Sequence, residues 1–197
     1  MKKAVKIPAL VTIFVFFLYG ADAQLKLPVA SALSGDIKKI IEDYPNKFSN
    51  LKGELLTENI QSAEYSCICK VSGAEATTIT GYSSKENDVY SWQAIMLTTD
   101  EFEKARKQFR SLYNQLNNLA VKPFGERTFY LKGSYDSPEE EKKFSSVLFS
   151  FSPNERSVKK LKVELIMQYY EPMEWKVKIL IYDREREDNE RGKLTED

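Results

Sequence analysis

Residues 98–121, TTDEFEKARKQFRSLYNQLNNLAV, form the longest helix-like stretch of the chain and stand between two runs of strand-like sequence. Phe102, Ala105, Phe109, Leu112, Leu116 and Leu119 recur at spacings of three and four. That is the apolar stripe of a helix covering a hydrophobic surface. Thr98 and Glu101 have the spacing of a capping box, which would satisfy free N–H groups in the first turn. Glu103 and Lys107 are an i, i+4 pair on the wet side.

On both sides of this helix the period falls to two. Upstream, GELLTEN, EYSCICKVSG, ATTITGYSS and VYSWQAIMLTT are short runs rich in β-branched and aromatic residues, broken by Gly, Asn, Asp and Ser. Short connections of this kind join antiparallel neighbours, which predicts a four-stranded meander. Before it, DIKKIIEDYPNKF sets Ile37, Ile40, Ile41, Tyr44 and Phe48 on one stripe. A first helix is therefore expected from Asp36, after a connector LKLPVASALSG, with Pro45 ending or tightening it. Downstream, RTFYLKGSYD, KKFSSVLFSFS, VKKLKVELIMQYY and MEWKVKILIYDRE predict a second meander. Leu161, Val163, Leu165 and Met167, with Trp175, Val177, Ile179 and Ile181, are assigned to its core face.

Leu-Lys-Gly occurs at residues 51–53 and again at 131–133, each time where a chain segment enters its sheet. Gly53 precedes Trp92 by 39 positions and Gly133 precedes Trp175 by 42, with EYSCI and KFSSV matching in between. Ordered matches at near-constant spacing imply a duplicated unit. The glycine in each copy is expected to allow a bend, a bulge or a close backbone approach. The fold class expected is α+β, with two tandem, pseudo-symmetric units of one helix and a four-stranded antiparallel sheet, over residues 24–97 and 98–183.

Lys2, Lys3 and Lys6 precede the apolar run IPALVTIFVFFLYG, which ends at Ala21-Asp22-Ala23. This reads as a signal peptide over residues 1–23, cleaved before Gln24, and the expected location is periplasmic or secreted. The run is too short and wrongly flanked for a spanning helix, so no stable membrane span is expected after cleavage. The whole chain has 29 basic and 29 acidic residues. Removing the signal takes three lysines and Asp22 with it and leaves the remainder slightly acidic. Nucleic acid and anionic membrane surfaces are poor partners for such a chain. The closing residues 184–197 are almost all charged and without periodicity, and read as a disordered tail.

DYPNKFSNLKGE followed by YSWQA resembles uncharacterised secreted proteins of Bacteroidota-type bacteria, which share the signal and the α+β layout over most of the chain. The resemblance implies no activity, and no functional residue is carried over from it.

The chain has no histidine, which removes Ser-His-Asp and Cys-His nucleophiles and His-ligated metals. It also lacks Gly-x-Gly-x-x-Gly, P-loop and Gly-x-Ser-x-Gly patterns. No catalytic residue, cofactor or metal site is assigned. Glu139, Glu140 and Glu141 are the densest carboxylates, but three acids before two lysines read as a solvated loop. Cys67 and Cys69, two apart on one expected strand, read as small buried hydrophobes. A disulfide between them would strain an extended backbone. Redox cysteines more often sit at a helix start or a turn.

The remaining surface feature is the far side of the last two strands. Ile166 and Tyr170 on one, with Lys178, Leu180 and Tyr182 on the other, interleave lysines with apolar groups and form a candidate interaction face. The function expected is a non-enzymatic binding or interaction protein of the bacterial cell envelope, contacting an envelope protein or a small apolar ligand. The alternative is a carboxylate-dependent hydrolase of envelope glycans or peptides. Oligomeric state is left open.

Overall fold

The computed structural model describes residues 29–83 and 88–184. The expected signal peptide and residues 185–197 of the expected tail lie outside the described residues. The described chain is α+β, as expected from its periodicities. Helix α1 (Val29–Glu42) is followed by β1 (Lys52–Glu58), β2 (Ser62–Cys67), β3 (Ala76–Tyr82) and β4 (Val89–Thr99). Helix α2 (Phe102–Leu116) leads into β5 (Ala120–Val121), β6 (Phe129–Lys132), β7 (Phe144–Ser152), β8 (Leu161–Tyr170) and β9 (Glu174–Asp183).

The strands make one antiparallel sheet of nine in the order β1-β2-β3-β4-β9-β8-β7-β6-β5. This corrects the expectation of two four-stranded sheets. Strands β4 and β9 pair antiparallel along most of their length, from Ser91↔Tyr182 to Thr99↔Trp175, so the meanders join edge to edge. Helix α2 packs over β4, β9 and β8, and α1 lies against α2 and β5. Ala105, Phe109, Leu112 and Leu116 of α2 meet Trp92, Ala94, Val163, Leu165, Val177 and Ile179 of the sheet in one core. All eight residues assigned to the core face of β8 and β9 are buried. The two-residue period carries that result, because one slip of register would turn every one of them to the far side.

Several boundaries differ from expectation, each for a local reason. From Val29 onward the segment read as a connector is the first half of α1, and its residues 25–28 lie outside the described residues. Leu33 continues the apolar stripe one turn before Ile37 and is buried with it, while Gly35 falls on the exposed side. Pro45 tightens the chain as expected, since Tyr44–Asn46 form a single 3-10 turn. At the start of α2 the capping box does not form. Thr98 belongs to β4, and Thr99 Oγ1 accepts from the Glu101 N–H at 3.2 Å instead. Glu103 pairs with Arg106, not Lys107, at 2.6 Å. Helix α2 stops at Leu116, and Leu119 leads into the short strand β5, which periodicity alone did not separate from the helix.

The two Leu-Lys-Gly glycines occupy comparable places. Gly53 lies on β1 against β2, beside register shifts in that pairing, and Gly133 follows β6 against β7. A Cβ built on Gly53 would meet Ser66 Oγ at 2.4 Å, and one on Gly133 would meet Val147 Cγ1 at 2.6 Å and Phe149 Cδ1 at 2.9 Å. Both admit a close approach of neighbouring strands that any side chain would obstruct. Gly35, on the exposed side of α1, has nothing within 4 Å of such a Cβ. Gly133→Ala is therefore expected to destabilise by about 1–3 kcal/mol through overpacking. Gly35→Ala should stabilise by about 0.5–1 kcal/mol through helix propensity. Urea unfolding curves of the two variants should move in opposite directions, and displacement in the same direction would contradict these assignments.

Candidate functional site

A concavity with an apolar wall begins with the stretch DYPNKFSN after α1. Asp43 Oδ1 accepts from the side-chain amides of Asn46 at 2.8 Å and Asn50 at 2.6 Å. The Lys47 N–H reaches the Tyr44 carbonyl at 2.8 Å. Lys47 and Phe48 are left-handed, with φ of 55° and 56°. That conformation is costly for a bulky residue and persists only where surroundings over-determine it. Here the amide clasp fixes the turn and full burial of Phe48 holds it down. The result turns Phe48 into the core and leaves Lys47 at the mouth of a cavity.

That cavity is about 490 Å³, a volume suited to a small molecule. Tyr44, Pro45, Phe48, Val89, Tyr90 and Phe124 form its apolar wall. Phe124 meets the Tyr44 ring edge-on with centroids 6.1 Å apart, and the Tyr44 hydroxyl donates to Asp183 Oδ2 at 2.5 Å. Lys47, Arg156, Lys159 and Lys160 also line the cavity, against two acids, Asp88 and Asp183. Lys47, Arg156 and Lys159 form no ion pair with a described residue. The site therefore combines aromatic surface with an excess of positive charge. It lies where β4 begins and β9 ends, a junction formed by the edge-to-edge pairing and not foreseen from periodicity.

The expected interaction face is brought together on one side of β8 and β9, but two of its five members are not available on it. Leu180 is 9% exposed and Tyr182 4%. The correction follows from topology: β9 is a central strand, flanked by Ser91 and Gln93 on β4 and by Lys162 and Glu164 on β8. The Tyr182 hydroxyl donates to Glu164 Oε2 at 3.1 Å. Ile166 pairs across strands with Lys178, and the Lys178 ammonium donates to the Tyr170 hydroxyl, which in turn donates to Gln168 Oε1 at 2.9 Å. The cluster Tyr170, Lys178 and Gln168 is thus bound to itself.

Glu139 is paired with Lys142 at 3.1 Å, and Glu140 and Glu141 are exposed on a 3-10 turn over Glu140–Lys142. This is the solvated arrangement expected of them. No group of three or more Cys, Asp or Glu suited to a metal ion occurs among the described residues, and no described helix is long and apolar enough to cross a membrane.

The two cysteines are arranged differently from the reading of one continuous strand. Strand β2 stops at Cys67, and the chain bends at Ile68 and Cys69. The bend brings the sulfurs within reach of each other. The neighbouring Cys69 thiol is the largest influence holding Cys67 down to about 6 from 9.0. Burial opposes the shift, while the Cys69 N–H, the Trp92 indole and the Thr77 hydroxyl support it. Cys69 is pushed up strongly, first by its hydrogen bond to Cys67, then by burial and the Cys67 charge. Both thiols are free and half-buried.

A folded-state value below the unfolded one stabilises in full above pH 9.0 and is lost as pH falls through about 6. The stability gap between the protein and its Cys67→Ser variant should therefore widen from pH 6 to 9 in thermal unfolding at fixed ionic strength. The half-exposed position keeps the gain small through solvent screening. A gap independent of pH would contradict the thiolate assignment.

Comparison with known proteins returns no matching family model, no matching curated protein and no matching solved structure.

Proposed function

We propose that the chain is an exported, non-enzymatic binding protein of the cell envelope whose ligand is a small apolar molecule carrying negative charge. One observation carries this reading: the cavity of about 490 Å³ sets Tyr44, Phe48, Tyr90 and Phe124 beside Lys47, Arg156, Lys159 and Lys160. An aromatic wall supplies contact area and a cationic mouth orients an anionic group, which is the usual division of labour in small-molecule sites. Export rests on the lysine-flanked apolar run and its small residues at Ala21 and Ala23.

The scaffold of this binding protein is a tandem duplication, α1 with β1–β4 and α2 with β6–β9, with β5 as an addition to the second copy. In support, Gly53 and Gly133 sit at matching strand pairs, and Trp92 and Trp175 both face the core from the two seam strands. Ile95 and Lys178, equivalent when the tryptophans are superposed, pair directly with each other across the seam. Such a pair lies on the local two-fold axis.

Anilinonaphthalene sulfonate, an aromatic anion whose fluorescence rises on leaving water, is a suitable probe. The protein should bind it saturably, with affinity falling as salt is raised. The double substitution Arg156→Ala with Lys159→Ala should weaken binding roughly tenfold, at about 1 kcal/mol or less per partly solvated charge. Phe124→Ala should weaken the anion and an uncharged naphthalene alike. Equal binding of the anion by all three proteins would remove the cavity as its site.

A further inference from the structure

The end of β2 carries chemistry that ligand binding does not use. Cys67 is its last residue, and the chain bends at Ile68 and Cys69, with the Cys69 thiol close enough to Cys67 Sγ to influence its charge. Ile68, between them, points outward and is 67% exposed, so both half-buried thiols lie beside an apolar projection at the surface. Beneath them lies Trp92, fully buried, whose Nε1–H has no acceptor in full hydrogen-bond geometry. A buried indole N–H without a partner is costly. This one lies close enough to Cys67 Sγ to favour negative charge there, as does the Thr77 hydroxyl. A neutral thiol is a weak acceptor for such donors, whereas a thiolate suits them.

We propose that Cys67 and Cys69 form a thiol–disulfide exchange site, with Cys67 the attacking thiolate, Cys69 the resolving thiol and a small-molecule or peptide disulfide the co-reactant. In the first step the Cys67 thiolate attacks one sulfur of the incoming disulfide. A Cys67 mixed disulfide forms, the incoming S–S bond breaks, and the other half leaves as a thiolate. Charge on Cys67 is what holds the proton on Cys69, through their hydrogen bond and mutual repulsion. Once Cys67 is in the mixed disulfide that restraint is gone, and the Cys69 proton passes through solvent to the departed thiolate. The Cys69 thiolate then attacks Cys67 Sγ and expels the second half as a thiolate, which takes up from solvent the proton that Cys67 released on ionising. The protein dithiol loses two electrons to become an internal disulfide, the co-reactant gains them to become two thiols, and the reverse sequence reduces the protein.

Asp36 of α1 sits on the Cys69 side, its carboxylate accepting from the Ser72 N–H at 3.0 Å and Oγ at 2.8 Å. It also disfavours negative charge on Cys69. The asymmetry between the two cysteines is thereby built in by their neighbours. A bridge across one intervening residue spans a Cα separation of roughly 6.6 Å in extended chain, near the upper limit for a disulfide. A disulfide held near the limit is a strained and readily reduced one, the kind used for exchange and not for permanent bracing.

The test uses glutathione disulfide and the purified protein. The parent should release two glutathione thiols per chain and gain an internal Cys67–Cys69 disulfide, identified by peptide mass spectrometry. Cys69→Ser should stop at a single glutathionyl group on Cys67, and Cys67→Ser should react at least about tenfold more slowly. In iodoacetamide alkylation the rate at Cys67 should level off above about pH 7, because the thiolate is already formed. Two independent glutathionyl groups on the parent, equal rates for the two serine variants, or an alkylation rate still climbing at pH 9 would each overturn the proposal. Circular dichroism of both serine variants separates loss of reactivity from loss of fold.

Discussion

The antiparallel ladder between β4 and β9 is the interaction on which the rest of the molecule depends. It converts two meanders that would each expose an edge into one sheet, and it sets β9 between two neighbours. Helix α2 then lies across the joint, contacting β4, β9 and β8 together, so its stripe binds the two halves from above. The ladder also positions the cavity, because the first residues of β4 and the last of β9 meet at its end with Tyr44 and Lys47 from the turn after α1. Most of the buried apolar surface belongs to the single core built over this joint, and such burial dominates the favourable side of folding.

Much of this was legible in the sequence, and the portions that were not have identifiable causes. Alternation in β8 and β9 marked the core face correctly, because a sheet with one covered side requires period two. The joint between the meanders was missed, since periodicity reports which side a residue faces and not which strand lies beside it. One signal was present. Ile179, Leu180, Ile181 and Tyr182 are four consecutive apolar residues, and all four are buried. Such a run suits a central strand, where Ser91 and Gln93 on β4 and Lys162 and Glu164 on β8 flank Leu180 and Tyr182 on the side away from the helices.

The candidate sites were less legible than the fold. The cavity draws Lys47, Phe124 and Arg156 from three connecting segments far apart in the chain, and no spacing rule links them. Cys67 and Cys69 were visible as a pair, but an extended backbone was assumed where the chain in fact bends. Their contact partners Thr77 and Trp92 come from the next two strands and follow only from the register, in which Ser66 faces Thr78 and Thr77 faces Ala94. DYPNKFSN was informative in another way. Its Asp43, Asn46 and Asn50 form an amide clasp that shapes the cavity without contributing reactive groups.

The ends of the sheet bear on how this chain behaves among its own copies. One edge is β5, only two residues long, and the other is β1, whose pairing with β2 slips register twice within seven residues. A stub and a kinked margin both offer poor templates for a further strand. Leu55 and Leu56 are exposed on β1, so a straight edge there would have invited a neighbouring molecule to extend the sheet. The irregularity beside Gly53 thus has a second effect besides packing: it makes this margin of the sheet a poor acceptor for a strand of another copy.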